Sequence, residues 1–107
     1  MRAAALAALL GLLACTAGEA APRKPATTTI AIDGMKFTPA DVTVKAGDTI
    51  VWTNHDVVAH TVTAASGAFD SNLIAPGGTW TYVVRKAGDF AYKCSYHPTM
   101  TAALKVR

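Results

Sequence analysis

Turn-forming clusters interrupt the chain at short intervals: Asp33-Gly34, Thr38-Pro39, Ala46-Gly47-Asp48, Ser66-Gly67, Pro76-Gly77-Gly78 and Ala87-Gly88-Asp89. Nothing between them is long and periodic enough for an amphipathic helix. The intervening runs instead alternate apolar with polar residues, which is the period of a strand. Residues 29–32, 41–44, 49–53, 60–63, 79–84, 90–93 and 103–106 read as strands. Alternation puts Ile50 with Trp52 on one face, and Trp80, Tyr82 and Val84 on another, as in a half-buried antiparallel sheet. Seven to eight such strands predict an all-β Greek-key sandwich of two packed antiparallel sheets. Lys45-Ala46-Gly47-Asp48 returns as Lys86-Ala87-Gly88-Asp89, each time before an apolar strand, and predicts a repeated hairpin turn.

The first residues obey other rules. Met1-Arg2 precedes an Ala/Leu/Gly run over 3–14, shorter than the ~20 residues that span a bilayer core. A basic start, a short apolar run and the small-x-small site Gly18-Glu19-Ala20 predict an export signal over 1–20. Leu12-Leu13-Ala14-Cys15 resembles a lipobox, which would make Cys15 a lipid anchor; otherwise Cys15 leaves with the signal. Residues 21–28 read as a flexible segment and 29–107 as the domain. The expected location is the periplasm or another extracytoplasmic space, tethered as a lipoprotein if Cys15 is lipidated. Of 107 residues, 51% are apolar and only 16% charged, so disorder is not expected. The net charge of +3 is scattered, with no basic stripe for nucleic acid.

An exported domain with one thiol, Cys94, must bury it, pair it between molecules or hold it as a metal-bound thiolate. Its neighbours favour the metal. In the run from Phe90 to Met100, alternation places Phe90, Tyr92 and Cys94 on the core face, and His97 and Met100 follow at spacings of three and six. A tight loop can converge thiolate, imidazole and thioether, a donor set that suits copper. One loop cannot surround an ion, so a second imidazole is needed, and His60, approached by apolar Val57, Val58 and Ala59, is the natural candidate. Each residue singly has a packing explanation, but the combination points to ligation. His55, in a turn-like Thr53-Asn54-His55-Asp56 segment, is assigned to the surface.

These motifs resemble the cupredoxins, specifically small bacterial blue copper proteins of the amicyanin and plastocyanin-like group. The resemblance covers about residues 28–107. It rests on Asp33-Gly34-Met35-Lys36-Phe37-Thr38-Pro39, on the stretch from Val42 to Asn54, on His60, and on Cys94-Ser95-Tyr96-His97-Pro98-Thr99-Met100 with two residues between His and Met. It implies one type I copper ion held by His60, Cys94 and His97, with Met100 as the long axial ligand. Where several family members carry Asn after the first His, this chain has Thr61; its amide could donate to the Cys94 sulfur, and the Thr61 and Ser95 hydroxyls could bridge the two ligand loops.

The resemblance further implies a one-electron carrier, not an enzyme, that shuttles between Cu(II) and Cu(I) as a monomer with transient redox partners. Its electron-transfer surface would be His97 ringed by Pro98, Thr99 and Ala59, with Val57 and Val58 adjoining. The short loop suggests that His97 protonates and leaves Cu(I) at low pH. Alternatives are copper storage or delivery, a multi-copper enzyme, which would need more sites than three histidines supply, and a zinc site, for which Met100 is a poor donor.

Overall fold

The computed structural model describes residues 23–107. The expected export signal over 1–20, its expected cleavage site and Cys15 lie outside the described residues.

Eight strands form: β1 (Thr27–Asp33), β2 (Lys36–Thr38), β3 (Asp41–Val44), β4 (Thr49–Asn54), β5 (Thr63–Ala64), β6 (Thr79–Val83), β7 (Gly88–Cys94) and β8 (His97–Val106). They make two four-stranded sheets, ordered β2-β1-β4-β6 and β3-β8-β7-β5. The inward positions of β1, β4, β7 and β8 supply Ile30, Ile32, Ile50, Trp52, Tyr92 and Leu104, all buried between the sheets. An aromatic group bridges the layers. Trp52 meets Tyr92 edge-on at 5.8 Å and its indole N–H donates to the Tyr92 hydroxyl at 3.3 Å.

Both sheets are mixed, which corrects the antiparallel expectation. β1 runs parallel to β4 from Thr27↔Thr49 to Ile32↔Asn54, and β3 runs parallel to β8 from Asp41↔Ala103 to Val44↔Val106. The reason is that the chain changes sheet between these strands and returns in the same direction, which alternation within a strand does not reveal. The repeated tetrapeptide makes those crossings. Lys45–Asp48 carries the chain from β3 in one sheet to β4 in the other, and Lys86-Ala87 ends the crossing from β6 that leads into Gly88-Asp89, the first residues of β7, so neither copy is a hairpin turn.

The two aspartates have different fates. Asp48 is buried and accepts from the Ala26 amide at 2.9 Å, the Lys45 amide at 3.0 Å and the Arg23 guanidinium at 2.7 Å. Those donors hold its carboxyl down at about 2, with the Ala26 and Lys45 amides leading and Arg23 next. Asp89 is exposed and pairs with Arg107 at 2.8 Å. The segment expected to be flexible through Thr28 is thus tied down from Arg23 onward, with Thr27 and Thr28 already in β1.

Two strand expectations also change. Of residues 60–63 only Thr63 lies in a strand: His60 makes an isolated bridge to Ile74, and Thr63–Ala64 pairs with β7. Three-residue β2 was not expected, because Lys36-Phe37-Thr38 is too short to show a period.

Candidate metal centre

β7 ends at Cys94, whose side chain continues the inward series Tyr92, Cys94 and is fully buried. Ser95 and Tyr96 turn the chain, and β8 starts at once with His97, which pairs with Cys94. The register then jumps: the next pair is Lys93↔Thr101, so Pro98, Thr99 and Met100 have no partner on β7. A bulge of this kind tolerates Pro98, which has no N–H to offer the ladder, and re-aims the side chains around it. Met100 is buried near the same site, while Pro98 and Thr99 are exposed and His97 is half-buried. The segment read from sequence as a loop over 94–100 is therefore mostly strand.

His60 reaches this point from the opposite sheet's loop. Its backbone is fixed to Ile74 by two hydrogen bonds, at 3.2 Å through its amide and at 2.7 Å through its carbonyl, and its side chain is completely buried. Both imidazoles turn Nδ1 toward the sulfur: Cys94 Sγ lies 3.6 Å from His60 Nδ1 and 3.5 Å from His97 Nδ1. The three ligand atoms lie within 4.8 Å of one another. Among the described residues no further His, Cys, Asp or Glu joins them. Burial alone would raise the Cys94 thiol. The Thr61 amide, the two imidazoles and the Tyr96 amide outweigh it and bring the thiol down to about 6, so the sulfur favours the thiolate that binds metal.

The two ligand loops are stitched together. The Thr61 amide donates to Cys94 Sγ at 3.4 Å, and the Thr61 hydroxyl accepts from the Ser95 amide at 2.8 Å. The Ser95 hydroxyl donates to Thr63 Oγ1 at 3.0 Å, Thr61 and Thr63 hydroxyls meet at 2.9 Å, and Thr63 donates to Asp70 at 3.3 Å. An open groove of about 510 Å³ adjoins this chain, lined by Thr61, Asp70, Asn72, Leu73, Ser95 and Tyr96.

Sequence reasoning missed Asp56 and Asn54. Asp56 Oδ2 lies 2.8 Å from His60 Nε2. Buried Asn54 donates from Nδ2 to the carbonyls of Val58 at 2.9 Å and Ile74 at 3.0 Å, and its Oδ1 accepts from the Asp56 amide at 2.9 Å. An acid four residues before a candidate ligand was a usable signal for Asp56. For Asn54 there was none, since its turn-like setting argued for the surface. His55 is exposed, as expected. Ala59 is half-buried, while Val57 and Val58 are 93% and 43% exposed.

Two borderline imidazoles, a soft ionisable thiol and a nearby thioether, held in a buried frame, fit one type I copper ion.

Comparison with known proteins agrees with this chemistry. The family model for the cupredoxin-like domain matches residues 3–106. The chain is similar to amicyanin-alpha of Methylorubrum extorquens, 33% identical over an alignment of 112 positions that covers 97% of this chain and 94% of the relative. Amicyanin of Paracoccus versutus is 32% identical over 76 residues, 66% of this chain and 58% of the relative's length. The chloroplastic plastocyanin of Tetradesmus obliquus is 36% identical over 74 residues, 59% of this chain and 51% of the relative. The chain thus spans only part of two of these relatives. Among solved structures, the Cu(I) form of a methionine-to-alanine variant of amicyanin superposes with a TM-score of 0.72 at 23% identity, covering 79% of this chain and 86% of that one. A purple cupredoxin from Nitrosopumilus maritimus gives 0.68 at 24% identity, covering 75% and 99%. At these identities the structural likeness concerns the fold.

Proposed function

The chain belongs to the cupredoxin-like domain family, and on that premise we propose that it is an exported blue copper protein that carries one electron at a time between partner proteins. The observation that carries this reading is the buried thiol of Cys94 with an imidazole Nδ1 aimed at it from each side. His60, Cys94 and His97 would hold the ion most strongly, and Met100 would add a weaker thioether donor. When bound, a type I copper ion supplies a one-electron couple between Cu(II) and Cu(I).

The residues of this chain set the terms of that exchange. The Cys94 thiolate and Met100 thioether would favour the reduced ion, the imidazoles of His60 and His97 would accept the oxidised one, and the hydrogen bonds among Thr61, Thr63 and Ser95 tie the two ligand loops together. His60 is sealed inside, so electrons leave through half-buried His97 and the exposed Pro98 and Thr99 beside it. A small, exposed contact of this sort suits partners that dock and leave quickly. The export signal read over residues 1–20 supports a location in the periplasm or another extracytoplasmic space, with a lipid tether in place of cleavage after Ala20 if Cys15 is lipidated.

Cyclic redox titration of the copper-loaded domain tests the function. A carrier returns its visible spectrum unchanged after repeated reduction and oxidation. Reduction that instead passes the ion to an added Cu(I) chelator would identify a delivery protein.

A further inference from the structure

The far side of His60 is as carefully built as the side that faces Cys94. We propose that Asp56 is a positioning residue of the centre: its carboxylate fixes the His60 tautomer that leaves Nδ1 free for metal, and loads the imidazole with negative charge that favours Cu(II) over Cu(I). The second half of this rests on the copper function proposed above; the first half does not.

Asp56 is itself held by a turn. The two residues joining β1 to β2, Gly34 and Met35, have φ of 61° and 62°. Two successive left-handed residues make the tight hairpin turn that suits a strand pair, and the conformation is uncommon for a residue with a side chain such as Met35. Its effect is to aim both amides at one carboxylate. Gly34 N–H donates to Asp56 Oδ1 at 2.8 Å, and Met35 N–H donates to Oδ2 at 3.0 Å. Oδ2 then faces His60 Nε2 at 2.8 Å.

The Gly34 and Met35 amides already donate to its two oxygens, so the Asp56 carboxylate meets His60 as an acceptor, with Nε2 carrying the proton and donating it. In the neutral ring that leaves the lone pair on Nδ1, which is the nitrogen 3.6 Å from Cys94 Sγ. Without Asp56 the ring could place its proton on Nδ1 and close the site to metal. The charge also makes the imidazole a stronger donor, an arrangement whose loss typically weakens metal binding about 10–100-fold. A stronger, more negative donor stabilises the higher charge of Cu(II) more than that of Cu(I). Asp56 therefore lowers the reduction potential.

The test uses the wild-type chain and Asp56→Asn, which keeps the size and removes the charge. In the metal-free wild type, nitrogen NMR of the His60 ring is expected to show the Nε2–H tautomer, and the variant a mixture. In the copper-loaded proteins, Asp56→Asn is expected to lower Cu(II) affinity 10–100-fold while changing Cu(I) affinity less. A tenfold fall in their ratio raises the potential by about 59 mV. Asp56→Glu, which restores the charge, is expected to recover part of that shift. A wild-type ring protonated at Nδ1 overturns the proposal, and that measurement needs no variant to fold. So does an Asp56→Asn protein with an unchanged tautomer and an unchanged affinity ratio. A wild type that takes up no copper would instead defeat the functional reading, and the role of Asp56 would then be decided by the metal-free tautomer alone.

Discussion

The amide nitrogen of Thr61 sits 3.4 Å from the sulfur of Cys94, 33 residues further along the chain. That contact joins the two loops that supply the candidate ligands, and the Thr61 hydroxyl reinforces it by accepting the Ser95 amide. Thr61→Val keeps the amide and removes the hydroxyl, leaving the part-buried Ser95 N–H without its acceptor. The metal-free protein should lose about 1–3 kcal/mol in a urea titration. Thr61→Ser, which restores an acceptor, should recover most of it.

A second prediction concerns the core beneath the site. Tyr92 accepts the Trp52 indole N–H at 3.3 Å where both side chains are fully or almost fully buried, and burial pushes the phenol up to about 12, so it stays neutral. Tyr92→Phe preserves the ring contacts with Phe37 and Trp52 but orphans a buried donor. The cost should be about 1–3 kcal/mol by denaturant unfolding. A neutral effect would mean that the N–H finds another partner.

Asp48 makes stability depend on acid. Its carboxyl is held at about 2, below the ordinary 3.8, by the Ala26 and Lys45 amides and then Arg23. A depressed folded value means that the ionised form is favoured by folding, so its contribution is complete above about pH 4 and is lost as pH falls through about 2. Asp48→Asn should lower the thermal midpoint at neutral pH by several degrees. The gap between variant and wild type should narrow from pH 4 to pH 2.

Metal occupancy should also be visible as stability. An ion that binds the folded site and not the unfolded chain adds about 2.7 kcal/mol at a free concentration 100 times its dissociation constant. Copper should therefore raise the thermal midpoint, a chelator should reverse the rise, and His60→Ala should abolish it.

How far the sequence reached can be seen residue by residue. Alternation correctly put Ile50 and Trp52, and Tyr92 and Cys94, on buried faces, because a strand's period is local. Sheet direction was not legible, since β1 meets β4 and β3 meets β8 through crossings that no local pattern encodes. The spacing of Cys94, His97 and Met100 announced donor chemistry, whereas the register jump that leaves 98–100 unpaired depends on β7. Asp56 left a local signal in its place four residues before His60, but the Gly34 and Met35 amides that hold it lie 22 and 21 residues away.

The central claim is that Cys94 is a thiolate ligand of copper, and the visible spectrum of the Cu(II)-loaded domain beside Cys94→Ser tests it most directly. The account predicts an intense thiolate-to-copper charge-transfer band in the wild type that vanishes in the variant. A colourless wild type, or weak copper bands indifferent to the substitution, would contradict it.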